Sequence, residues 1–149
     1  MKRARGTTTY TREEFAKALL DDLGLEPRKQ RLTAIVAWAS TENTLADFNP
    51  LATTKTMPGS TDFNDNVPPV QNYESFQQGV SATVATLENG YYQRVLDALR
   101  DAKRAREILV AVGRSPWAGA SDSYRDLLLA VLKNVEANYN RYADTLIGQ

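Results

Sequence analysis

The residue best placed to do acid–base chemistry in this chain is Glu42. It closes a segment with helical apolar spacing, has Trp38 one turn before it, and is soon followed by the polar turn Asn49-Pro50-Leu51-Ala52-Thr53-Thr54. A carboxyl group that protonates a glycosidic oxygen near neutral pH must still hold its proton there, and an apolar wall achieves this by disfavouring the charged form. Trp38 is spaced to supply that wall. The same local pattern also describes a solvated glutamate at a frayed helix end, so the rest of the chain has to decide.

Composition narrows the chemistry. The 149 residues contain neither His nor Cys, which removes imidazole triads, thiol nucleophiles, His- or Cys-ligated zinc and any disulfide framework. Carboxylate chemistry remains, with no metal and no cofactor expected. Lys+Arg and Asp+Glu each number 18, so there is no global basic surface and nucleic acid is not an expected partner. With 42% hydrophobic residues the length suits a single domain over 1–149. Lys2, Arg3 and Arg5 are followed by Gly6-Thr7-Thr8-Thr9 and not by an apolar run, which does not read as a secretory signal. No segment reaches membrane-spanning length, so a soluble chain without membrane insertion is expected.

The elements that must position Glu42 read as mostly α. Thr11 and Glu14 have capping-box spacing, and Phe15, Leu19 and Leu23 continue a helix to Gly24. Pro27 can open a second helix whose stripe is Leu32, Ile35, Val36 and Ala39, ending at Glu42. From Asn43 to Asn72 the periodicity is lost, and this long irregular stretch reads as a cleft wall, with short strands placed near Thr53–Lys55 and Val70–Tyr73. Ser75 and Gln78 suggest another capping box, opening a helix with Phe76, Val80, Val84 and Leu87 that is expected to be central and buried. Two shorter helices follow, carrying Val95 and Leu99, then Ile108 and Leu109. A Ser115–Gly119 turn precedes one long helix at about residues 123–146, striped by Tyr124, Leu128, Val131, Val135, Tyr139, Tyr142 and Leu146.

The runs Trp38–Glu42, Asn49–Thr54, Pro58–Asn64 and Val70–Gly79, with Leu87–Tyr92 and Ser115-Pro116-Trp117, resemble lysozyme-like domains of actinobacteria and their phages. More distantly they are similar to glucosaminidases and flagellar muramidases of the lysozyme superfamily. The resemblance covers about residues 30–118 and implies a lysozyme-like helical domain that cleaves peptidoglycan glycan strands, with Glu42 as general acid. It also implies that Tyr73 lines the cleft and that Asn49, Thr53 and Thr54 face Glu42 and bind N-acetyl groups or orient the acid. For the loop residues the alternative role is to bond the loop's own backbone. Trp117 is either a platform for a sugar ring or a buried anchor of the Pro116 turn.

A two-carboxylate glycosidase needs a partner for Glu42. Asp47, Asp62 and Asp65 lie in the loop, and Asp62 is the choice among them, although each Asp suits a turn cap equally well. If the muramic acid 6-hydroxyl is the nucleophile, as in lytic transglycosylases, a single Glu serves as acid and then base. The resemblance further implies a phage protein, either tail-associated in the virion or held in the host cytoplasm before release, with phage tail proteins as candidate partners. The other reading is a catalytically inactive lysozyme-like virion component that is structural or binds glycan.

Overall fold

The computed structural model describes residues 9–119 and 121–148, so the basic start at Lys2, Arg3 and Arg5 lies outside them. Among the described residues the fold is mostly α, with seven α-helices and one two-stranded sheet. No described helix is long and apolar enough to cross a membrane.

Helix α1 (Arg12–Asp22) starts on the capping box read from the sequence: the Thr11 side chain accepts from the Glu14 N–H, and Glu14 accepts from the Thr11 N–H. Helix α2 (Lys29–Glu42) begins two residues after Pro27 and buries every residue from Arg31 to Ala39. A helix covered on all sides has to be the core of its domain. α2 packs chiefly on α6 (Asp122–Ala137) and α5 (Ala105–Gly113), and α1 also lies against it. The helix expected at the centre, α3 (Phe76–Leu87), is instead peripheral. Its Glu74, Ser75 and Gln77 neighbourhood is solvent-exposed, and its inner face packs on α1 and α4 (Gln93–Asp101).

The buried Arg31 illustrates how α2 organises its surroundings. Its guanidinium donates to the carbonyls of Leu99, Arg100 and Glu26 at 2.7, 2.9 and 3.0 Å. Two of these carbonyls end α4 and would otherwise lack intrahelical partners.

Of the two expected strands, the one near Val70–Tyr73 is present and the one near Thr53–Lys55 is not. β1 is Thr61–Asp62 and β2 is Gln71–Asn72, antiparallel, with Thr61 opposite Asn72 and Asp62 opposite Gln71. Thr53–Lys55 forms no strand, although the Thr53 carbonyl accepts from the Gln71 N–H at 3.1 Å. The expected single C-terminal helix is also two. α6 ends at Asn138 (φ −149°, ψ 66°), and the short α7 (Tyr139–Ala143) starts directly after it. This break turns the stripe, leaving Leu128 and Val135 fully buried while Leu146 is exposed.

The loop after Glu42 is held by close packing as well as by bonding. The Phe48 carbonyl would lie 1.8 Å from a β-carbon at position 79, so only Gly79 lets this loop cross α3.

Candidate functional site

Glu42 is the last residue of α2, and Asn43 caps the helix in the left-handed region (φ 44°). Arg12 reaches across from α1 and donates to Ser40 Oγ at 3.0 Å and Asn43 Oδ1 at 3.2 Å. It fixes the two residues flanking the Thr41-Glu42 pair and places a cation at the negative end of the helix.

The Glu42 carboxyl is partly buried, and burial pushes its pKa above the ordinary value for Glu. One group opposes this shift: the Tyr124 hydroxyl, from the first turn of α6, donates to Glu42 Oε2. Burial, and after it the neighbouring Glu42 charge, raise the Tyr124 phenol in turn, so it stays a protonated donor. The sequence reading placed Tyr124 only on an apolar stripe. The signal available was its type, because a buried Tyr hydroxyl generally finds a partner.

Trp38 is fully buried one turn before Glu42. Its indole N–H faces the Tyr124 oxygen and favours the ionised phenol. The geometry still falls short of a hydrogen bond, which leaves Trp38 Nε1 unpaired among the described residues. An orphan buried donor costs about 1–3 kcal/mol. Carboxyl, hydroxyl and unpaired indole N–H are therefore gathered at one end of the central helix.

Trp117 packs edge-on against Trp38, with ring centroids 4.7 Å apart, and against Tyr92 at 5.4 Å. Beyond it lies a pocket of about 320 Å³ lined in part by Thr53, Thr54, Pro68, Tyr92, Pro116 and Trp117. That volume is at the small end of ligand pockets, roughly 300–1,000 Å³. Apolar rings and prolines with a few hydroxyls at the edge are the surface a sugar ring can use. Trp117 is half-buried, follows Pro116 in the turn and walls the pocket.

The remaining sequence candidates have other duties. Asn49 is fully buried and saturated: Nδ2 donates to the Thr53 and Gln71 carbonyls at 2.9 and 2.8 Å, while Oδ1 accepts from the Thr53 N–H at 2.9 Å and lies 3.2 Å from Thr53 Oγ1. Tyr73, also buried, donates to the Lys55 carbonyl at 2.6 Å, which leaves its oxygen to accept from Thr53 Oγ1 at 2.8 Å. The polar atoms of Asn49, Thr53 and Tyr73 are thus engaged within the loop, and Thr54 is the loop hydroxyl left toward the pocket.

Asp62 sits on exposed β1 and accepts from Gln71 Nε2 at 2.9 Å. Ser60 Oγ donates to the other end of that amide at 2.8 Å. Among the described hydrogen bonds, none joins Asp62 to Glu42, Tyr124 or the pocket, and its observed partner is the buried amide of Gln71. No group of three or more potential metal ligands occurs among the described residues.

Fold and site together describe a mostly helical protein whose central helix ends in a partly buried carboxyl with a raised pKa, and the Trp38–Trp117 contact links that end to an aromatic-walled pocket that Glu42 itself does not line. Neither a family model, nor a curated protein, nor a solved structure matches the chain.

Proposed function

We propose that the protein cleaves peptidoglycan glycan strands in the manner of a lysozyme-like muramidase or lytic transglycosylase. The observation that carries this reading is the partly buried Glu42 carboxyl, whose neutral form is favoured by burial at the end of the central helix.

In this reading the Glu42 proton passes to the glycosidic oxygen as its bond to the anomeric carbon breaks. The carboxylate then takes a proton from the attacking hydroxyl, which belongs either to water or to the muramic acid itself. Tyr124 holds the carboxyl in place before and after transfer. The single-carboxylate route needs only Glu42, and Asp62, held by Gln71 on exposed β1, is not required for it. Trp117, Tyr92 and Thr54 seat a flanking sugar. The resemblance stated above extends the proposal to a phage protein, tail-associated or stored in the host cytoplasm until release.

The second reading, an inactive structural or glycan-binding relative, draws support from the Tyr124 hydroxyl already occupying Glu42 and from the internal use of Asn49, Thr53 and Tyr73. Wall clearing by wild type and Glu42→Gln, with mass spectrometry of the released strands, separates the readings. The expected result is at least about a hundredfold loss in the variant, as for removal of a general acid, and wild-type products with anhydromuramic ends, lighter by one water. Ordinary reducing ends would return the choice to a hydrolase. Wild type inactive on several wall types would support the second reading.

A further inference from the structure

Helix α2 has a second end, about 20 Å from Glu42 at 1.5 Å per residue, and the surface there is different in kind. A cavity of about 560 Å³ opens where the start of α2, the start of α5 and the second half of α6 meet. Lys103, Arg104, Arg106 and Lys133 line it, and the one carboxylate among its lining residues is Glu136. In a chain with no net charge this is a local excess of three positive charges, four cations less one anion.

These four cations make no ion pair or hydrogen bond with their side chains among the described residues. Cations nearby are already committed: Arg28 to Glu26 at 3.5 Å, Arg100 to Asp97 and Asp101 at 3.1 and 2.9 Å, Arg31 to backbone carbonyls, and Lys29 over the Tyr139 ring at 3.2 Å. All four lining cations are solvent-exposed, so an anion can reach them directly, and the attraction they offer is screened by salt over about 8 Å at physiological ionic strength. Gln30, the neutral polar side chain of the lining, is spent on the Ala105 N–H at 2.8 Å. It fixes the start of α5, so the cavity's shape is set before any ligand arrives.

We propose that this cavity is a binding site for a phosphodiester polymer, recognised through its backbone. Four cations on two separate segments, the 103–106 stretch and α6, suit several anionic groups along one chain better than a single ion. Arg104 and Arg106 offer planar forks that match phosphate oxygens, and Lys103 and Lys133 add point charges. Leu129 and Leu132 give an apolar floor for the carbon linker between phosphates. No aromatic side chain lines the cavity, so bases are not stacked and the binding is independent of sequence. The site is separate from Glu42, and the inference stands whether or not the chain cleaves glycan.

The test measures binding of two labelled probes, oligothymidylate and polyglycerol phosphate, to the whole chain, with a polyglutamate peptide as comparison. If up to four phosphates are neutralised, oligothymidylate affinity should fall roughly fiftyfold between about 50 and 200 mM salt, a log–log slope near −3. Arg106→Glu with Lys133→Glu should abolish binding while the far-UV spectrum and melting temperature are kept. Arg94→Glu, on exposed α4, should leave it intact. Binding of both probes supports a general phosphodiester site, and binding of one names the source. The proposal is overturned if neither phosphodiester binds at the lower salt, if polyglutamate binds as tightly, or if Arg94→Glu weakens binding as much as the double variant.

Discussion

Replacing Tyr124 by Phe removes one oxygen and leaves the aromatic contacts of α6 in place, which makes it a clean probe of the Glu42 cluster. The lost interaction is a hydroxyl donated to a partly buried carboxylate. Hydrogen bonds to charged groups contribute about 1.5–3 kcal/mol, and partial exposure of Glu42 argues for the lower end, about 1.5 kcal/mol. For a domain of this size that corresponds to a fall of roughly 3–6 °C in melting temperature. The pH dependence has a definite sign. Burial raises the folded-state pKa of Glu42 above its ordinary value of 4.5, so the stability contributed by the neutral acid is complete below that value and is lost as pH rises through the folded pKa. Tyr124 opposes this shift, so Tyr124→Phe should raise the Glu42 pKa further and make its stability deficit larger at pH 7 than at pH 4. Carbon-13 NMR titration of the glutamate carboxyls, with Glu42→Gln assigning the resonance, reads this directly and does not depend on catalysis. A Glu42 resonance that titrates with the exposed glutamates, or that is unmoved in Tyr124→Phe, would refute the account of the site.

Asn49→Ala leaves the Thr53 N–H and the Gln71 and Thr53 carbonyls without their side-chain partner, and calorimetric unfolding should show a loss of at least about 2 kcal/mol. Asp62→Asn should leave any glycan cleavage within about threefold of wild type, compared with at least a hundredfold loss in Glu42→Gln, as measured by release of soluble wall fragments. Val135→Asp places an unpaired charge at a fully buried position of α6, and a loss of several kcal/mol, about 3 or more, is expected with the monomer preserved in sedimentation. Unchanged melting with altered assembly would instead make that face an interface.

The parts of this structure that are legible in the sequence are those governed by neighbours in the chain. The Thr11 box, the Gly24 stop and the helix-end position of Glu42 follow from capping and period, whereas the apolar stripe of α2 understates that helix, which is buried on every side from Arg31 to Ala39. What the periodicity hides is pairing at a distance. Tyr124 and Glu42 are 82 residues apart, and nothing in the spacing around either one announces the other. Asn138 breaks the last helix although Val135 and Tyr139 keep four-residue spacing across it, because the apolar stripe is compatible with both a straight helix and a kinked pair. The first strand lies elsewhere than expected for a similar reason, while the second falls within Val70–Tyr73. Thr53 has the residue type for a strand, but its hydroxyl and N–H are taken by Tyr73 and Asn49, and the pairing falls to Thr61–Asp62. The charge balance concealed the cationic cavity, since a whole-chain sum cannot report where four unpaired cations gather.

The loop between Glu42 and the pocket gives a physical reason to regard this end of the molecule as selected for position over stability. Phe48 and Ala52 hold positive φ angles of 52° and 59°, a region that costs an L-residue about 1–2 kcal/mol each. Asn49, between them, makes three internal hydrogen bonds worth about 0.5–1.5 kcal/mol apiece. Strain of about 2–4 kcal/mol is thus met by about 1.5–4.5 kcal/mol of bonding from one side chain, and little net stability remains. A loop optimised only for folding would relax the two strained residues and need no buried amide. This one keeps them in the segment that carries Thr54 and Ala52 to the pocket beside Trp117. Backbone strain retained at such a place is a common companion of a working site. If Asn49 is the restraint, Asn49→Ala should let Phe48 and Ala52 relax, and amide exchange across residues 47–54 should speed up well before the helical core unfolds. Exchange in that segment that stays coupled to global unfolding would show that Asn49 is not what holds the loop.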